Sequence, residues 1–316
     1  MPPDGIRGPE PALPAEIDRI NRLFSEAFTD RYQRDGMSGV RVPLLNPAIW
    51  RFAIADAADG ALVWRDASGS IVAFNLIHRS GSEGWMGPLA VRPDHQGQGL
   101  GSVIVREGIR RLEAGGARII GLETMPRTVD NIGFYSRLGF RPGHLTVSLT
   151  RELDPGAVTP GALLSRADRS TGIAACRALT ESLCPGIDYS RDIALTLEHG
   201  LGDVTMLTDR DTLAGFALWQ VAPLAEGRPR DEVRVLKLVA RDLRVMGRLV
   251  QAVEGAARHA RALRVSIRCQ TAFREAYSAL LDAGYAVHWT DLRMTLAGKE
   301  EVPPLEGSVV MSNWEI

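Results

Sequence analysis

Val91-Arg-Pro-Asp-His-Gln-Gly-Gln-Gly-Leu-Gly-Ser102 puts glycines at 97, 99 and 101, between a strand-like run (84–91) and a helix-like run (103–113). Glycine lacks a Cβ, so the backbone there can turn through positive φ and come close to a ligand. The first N–H groups of the following helix have no partner within it and carry the positive end of its dipole. Such a loop at a helix N-terminus is an anion cradle suited to a phosphate or pyrophosphate. Gly97-x-Gly99-x-x-Ser102 also comes near the GxGxxG/A dinucleotide pattern, with Glu123 spaced for a ribose contact. Against that reading, Pro93-Asp-His-Gln96 separates strand from glycines, where a dinucleotide fold turns at once.

Working outward, the 316 residues suggest two domains. A composition 45% hydrophobic and 24% charged fits a soluble globular protein with a full core. The net charge of −1 gives no electrostatic case for nucleic acid or an anionic membrane. Cys176, Cys184 and Cys269 have neither metal nor CxxC spacing, and an odd count points to a reducing compartment. The six histidines form no pair on one helix face, so no metal site is expected. The Pro/Gly-rich start lacks an apolar leader and no apolar run is long enough to span a bilayer, so a cytoplasmic location is expected.

Residues 1–14 read as a disordered lead-in. Helical spacing follows over 16–28, and Asn46-Pro47 reads as cap and first residue of a helix over 47–55. Strands are predicted at 61–64 and 71–78, joined by a hairpin turn at 66–70, then at 84–91, 118–124 and 145–149, with a short helix over 129–138. Asp154-Pro-Gly-Ala-Val-Thr-Pro-Gly161 marks a linker. After it the order repeats. Phe74 is echoed by Phe216, Arg118 by Arg264 and Gly139 by Gly284, at offsets of 142, 146 and 145 residues. A nearly constant offset in one order indicates duplication of a whole domain. The second copy has Val239-Ala-Arg-Asp242 where the first has Val91-Arg-Pro-Asp94. It then keeps a single glycine, and Leu280 replaces Tyr135. The division expected is therefore 1–153, an intact copy; 162–298, a degenerate one; and 299–316, a linker and strand. The tail strand is expected to pair with one of the two sheets, the first in preference.

The motifs resemble those of the GNAT superfamily of acetyl-CoA-dependent N-acetyltransferases. Gln96-Gly-Gln-Gly99-Leu-Gly101 matches its phosphate-binding signature, and Tyr135-Ser-Arg-Leu-Gly139-Phe140 matches a second one in the right order. The resemblance covers roughly 16–152 well and 165–296 as a degenerate copy. It implies an α/β fold of two tandem domains, each a mixed, largely antiparallel sheet flanked by helices. It also implies acetyl-CoA as cosubstrate, its pyrophosphate held by Gln96, Gly97, Gln98, Gly99, Leu100, Gly101 and Ser102, with convergent N–H groups from Gln98 to Ser102. In the family the fourth strand splays from the fifth. Leu89, Ala90 and Val91 would then offer free N–H groups to the pantetheine and the thioester carbonyl. An Asn often lies seven residues before the Tyr and contacts CoA. Thr128 stands at that position here, and Asn131, four before, is the available substitute.

The implied activity is N-acetylation of a primary amine by direct attack in a ternary complex. Tyr135 is the candidate to protonate the departing thiolate. Trp85-Met-Gly-Pro-Leu89 holds no acid, so the usual fourth-strand Glu is missing. Glu123 and His78 rank equally as candidate bases, with Glu83 also available. The alternative is a non-catalytic acetyl-CoA-binding sensor. The expected partner is a small-molecule or peptide amine, with a homodimer left open, and the second copy would buttress the site or shape the acceptor pocket.

Overall fold

The computed structural model describes residues 3–154 and 161–313. Most of the expected linker (155–160) and the last three residues of the expected tail strand lie outside them.

The chain opens on β1 (Arg7–Pro11), which pairs antiparallel with β2 (Ala61–Arg65). The expected disordered lead-in is thus in part an edge strand. Composition misled here, because prolines are tolerated on an edge strand, where a missing N–H costs no ladder bond. Between these strands lie α1 (Ile17–Arg34) and α2 (Pro47–Ala57). α1 buries Ile17, Ile20, Leu23, Phe24 and Ala27, one stripe at helical spacing. Pro47 opens α2, and the Asn46 side chain caps it by accepting from the Ala48 N–H at 3.0 Å. β3 (Ile71–Ser80), β4 (Glu83–Val91), α3 (Leu100–Ala114), β5 (Ile119–Thr124), α4 (Val129–Arg137) and β6 (Phe140–Glu152) complete the first half.

The second half repeats this order. A short β7 (Ala162–Leu163) precedes α5 (Arg169–Leu183) and α6 (Ser190–Glu198). Then come β8 (Gly202–Asp209), β9 (Thr212–Gln220), β10 (Glu232–Ala240), α7 (Leu243–His259), β11 (Arg264–Gln270), α8 (Arg274–Asp282) and β12 (Ala286–Leu296). β13 (Val309–Ser312) is the tail strand. The fold is the expected pair of tandem GNAT-like units. No described helix is long and apolar enough to cross a membrane.

One sheet runs through both halves in the order β1-β2-β3-β4-β5-β12-β6-β11-β10-β9-β8-β7. Each half sends its last strand across. β12, from the second half, lies antiparallel between β5 and β6. β6, from the first, lies between β12 and β11.

β13 pairs antiparallel with β10, Ser312 opposite Lys237 and Val309 opposite Ala240. The tail therefore joins the second half's strands, not the first's as preferred from sequence. The reason is geometric. β10 pairs with β11 only over Glu232–Val235, so its remaining edge needs a partner.

Candidate active site

β4 carries one extra residue against β3, between Met86 and Leu89, at Gly87-Pro88. Such a bulge bends a strand and increases its twist. β4 accordingly pairs with β5 only over Glu83–Met86, and beyond that point its edge toward β5 has no strand partner. The backbone of Leu89, Ala90 and Val91 runs along this open edge.

The Gly loop follows directly. Gly97 and Gly99 have φ of 75° and 85°, and a Cβ at either would meet no atom within 4 Å. Gly99 is the N-cap of α3. The Ser102 N–H turns back to the Gly99 carbonyl at 3.1 Å. The convergent donors expected from Gln98 to Ser102 therefore narrow to Gln98–Gly101. The Gln96 side chain braces the loop by donating to the Val91 carbonyl at 2.9 Å. In the second half the corresponding helix start is occupied from within, because the Asp242 carboxylate accepts from the Val245 N–H at 2.7 Å.

Where β4 and β5 diverge lies a cavity of about 370 Å³. α1, the loop over 35–46, β4, β5 and the start of α4 line it, together with Leu224, Ala225 and Asp291 from the second half. Its wall is mixed, with Phe24, Phe28, Val42, Met86 and Leu122 beside Arg31, Arg41, Glu123 and Asp291. A larger cavity, of about 930 Å³, is bounded by the tail, Cys184, Tyr189 and Tyr277. None of the Gly loop lines either cavity, but only the smaller is bounded by the bulge and open edge of β4, at Gly87–Leu89, and by Tyr135.

Four of the sequence candidates meet at the smaller cavity: Leu89, Glu123, Asn131 and Tyr135. Tyr135 is 7% exposed and packs against Phe134 and Phe140. Burial pushes its phenol up to about 12, so it holds its proton at neutral pH. Thr128 donates its hydroxyl to Asp35 at 2.8 Å, and Asn131 supplies the side-chain amide on that rim.

His78 is elsewhere. It is buried in β3, its Nδ1 2.6 Å from Asp56 Oδ2, and is not among the residues lining the cavity. Glu83 is also buried, but faces the larger cavity, within 3.4 Å of the Tyr189 hydroxyl.

Glu123 lines the right cavity and is heavily engaged. Its Oε1 accepts from Thr146 at 2.6 Å and from Arg293 at 2.8 Å, and its Oε2 from Arg268 at 2.6 Å. Burial would raise this carboxyl, but Arg268, Arg293 and Thr146 outweigh it and hold it below the usual range. It stays ionised and is a weak base.

Sequence reasoning missed Asp291. Its Oδ2 accepts from the Arg268 guanidinium at 2.9 Å, and its Oδ1 from the Trp289 indole at 3.2 Å. Burial raises its pKa, with the Arg268 charge opposing and the Glu123 charge adding. No local motif announces it. It reaches the cavity because β12 crosses to the other half.

Residues 17–140 match the Acetyltransferase (GNAT) family. The first half is a GNAT acetyltransferase domain. The whole fold of the chain is similar to that of a GCN5-related N-acetyltransferase from Sphaerobacter thermophilus, at 15% identity and a TM-score of 0.60, covering 96% of this chain and 99% of that one. It is similar as well to a tandem GNAT protein from the clavulanic acid biosynthesis pathway, at 13% identity and TM-score 0.58 over 92% and 98% of the two chains. A third likeness is to N-myristoyltransferase of Saccharomyces cerevisiae, at 11% identity and TM-score 0.64 over 95% and 80%. At such identities the likeness is one of fold, and it extends to the tandem arrangement.

Proposed function

We propose that this GNAT protein transfers an acetyl group from acetyl-CoA directly to a primary amine, with no covalent enzyme intermediate. The observation that carries the proposal is the succession of three features along β4 and the loop that follows it. These are the Gly97–Gly101 turn at the start of α3, the unpaired edge of β4, and the cavity onto which Tyr135 opens.

The N–H groups of Gln98 to Gly101 suit a pyrophosphate, since they converge at a helix N-terminus and no side chain fills the space above Gly97 and Gly99. The edge at Leu89–Val91 suits an extended pantetheine chain. A backbone N–H there, aimed at the thioester oxygen as charge develops, contributes ~2.7–4 kcal/mol to the transition state. The amine nitrogen bonds to the carbonyl carbon and the C–S bond breaks. Tyr135 gives its proton to the thiolate and regains one from the new amide nitrogen, so it ends neutral. The cavity beyond β4 takes the acceptor.

The test is thiol release from acetyl-CoA with a panel of primary amines. The expected result is amine-dependent release at well above the rate with water. Tight binding of acetyl-CoA without release for any amine would overturn transfer and leave a binding module.

A further inference from the structure

The base of the acceptor cavity is built where the two halves exchange strands, and its carboxylates are unequally compensated. Glu123, Asp291 and Glu301 share two guanidiniums. Arg268 bridges Glu123 and Asp291, and Arg293 bridges Glu123 and Glu301. Among the described residues three carboxylates thus meet two guanidiniums at this end of the cavity, while the cavity's other arginines are Arg31, paired with Asp35 and Asp130, and the exposed Arg41. Glu123 takes both guanidiniums and a hydroxyl, whereas Asp291 has half a share of Arg268 and a neutral indole. Of the two carboxylates lining the cavity, Asp291 is therefore the less compensated. A buried unbalanced charge is costly unless a partner arrives. The partner these surroundings fit is a cation on an apolar body, small enough for about 370 Å³.

We infer that Asp291, carried in by the second half on β12, binds the ammonium of the acceptor and takes its proton before attack. The acceptor is then a compact primary amine with an aromatic or aliphatic body. This rests on the acetyl-transfer reading above. The proton moves from the ammonium nitrogen to a carboxylate oxygen of Asp291, the nitrogen lone pair is freed, and the proton leaves to solvent after turnover. The groups facing Asp291 are Arg268 on β11, Glu123 on β5 and Tyr32 on α1, with Trp289 on its own strand. Tyr32 stays neutral, its phenol pushed up to about 12 by burial and by the Asp291 charge. Among these groups two carboxylates are driven apart, Glu123 down and Asp291 up. Such a split separates a structural anion from a working base.

Two measurements test the inference. In calorimetry on the intact protein, 2-phenylethylamine should bind about tenfold or more tighter than 2-phenylethanol at neutral pH, and Asp291→Asn should abolish the difference. Equal binding of the two probes, or a preference that survives in Asp291→Asn, overturns the ammonium site. In turnover, Asp291→Asn should lower kcat/KM for the amine by about 10²–10⁴-fold, leaving the Kd for acetyl-CoA within about twofold, and Asp291→Glu should recover part of the loss. The acidic limb of the pH profile should also move, because the variant must wait for free amine to appear as pH rises. Loss of acetyl-CoA binding in proportion would show a packing role and overturn the assignment. If the wild type releases no thiol with any amine, acetyl transfer fails while the two-probe comparison still decides the ammonium site. That comparison, made on the wild type, also decides it if Asp291→Asn does not fold.

Discussion

Tyr135 owes its chemistry to what surrounds it. It sits on α4 with Phe134 beside it and Phe140 just beyond, at ring distances of 5.1 and 6.1 Å, and no charge contributes to its titration. Burial alone therefore sets its state, and a phenol pushed up to about 12 remains a proton donor across the physiological range. Tyr135→Phe keeps the ring packing and removes only the hydroxyl. It should lower kcat by about 10²–10⁴-fold, while the Kd for acetyl-CoA stays within about twofold. Steady-state kinetics set beside calorimetry check this. An equal loss in both quantities would mean that the hydroxyl supports binding or packing, not proton transfer.

The helix starts after β4 and β10 show how one element diverges between copies. In the first half Gly97 and Gly99 hold the left-handed region and open α3 without a side-chain cap. In the second, Asp242 places its own carboxylate at the start of α7, so the anion is built in. Gly99→Glu should therefore imitate the second copy and add φ strain of ~1–2 kcal/mol. Its carboxylate would compete with the pyrophosphate for the same N–H groups. Acetyl-CoA affinity should fall by about 100-fold or more, with the melting temperature lowered only by the ~2–8 °C that the strain implies. Near-normal affinity by calorimetry would exclude this loop as the phosphate site. The loop was legible in the sequence because its requirement is local: alternating glycines between a strand and a helix. So was the order of elements in both halves, since hydrophobic periodicity is local too. The crossing of β6 and β12 was not. Both strands alternate in the same way, and alternation says which residues face inward, not which strand lies alongside. Asp291 was hidden with them, as an isolated acid on a strand whose partners Arg268 and Glu123 lie 23 and 168 residues away in the chain.

At the scale of the whole molecule the two halves are interlocked. β12 fills the space between β5 and β6, and its Arg293, 1% exposed, pairs with Glu123 of the first half. The halves differ in one respect. The gap where β4 leaves β5 has no strand in it, whereas β13 lies along β10 beyond the point where β10 leaves β11. The tail thus occupies in the second half the place that the proposed function gives to the pantetheine in the first. Val309, Val310 and Met311 are all buried there. Their burial stabilises the fold by ~1.5–3 kcal/mol per side chain on area grounds. β13 and the residue after it also accept from buried donors: the Ser312 carbonyl from Gln270 at 2.8 Å and Arg293 at 3.3 Å, and the Asn313 carbonyl from Lys237 at 3.0 Å. Truncation after Gly307 removes these acceptors from three buried groups, two of them charged, and exposes the β10 edge. The melting temperature should fall by well over about 5 °C, since each kcal/mol shifts it by ~2–4 °C in domains of 150–250 residues. Differential scanning calorimetry of the truncated chain measures this. An unchanged melting temperature would show that the tail does not hold β10 in solution, and the second half's gap would then be as open as the first's.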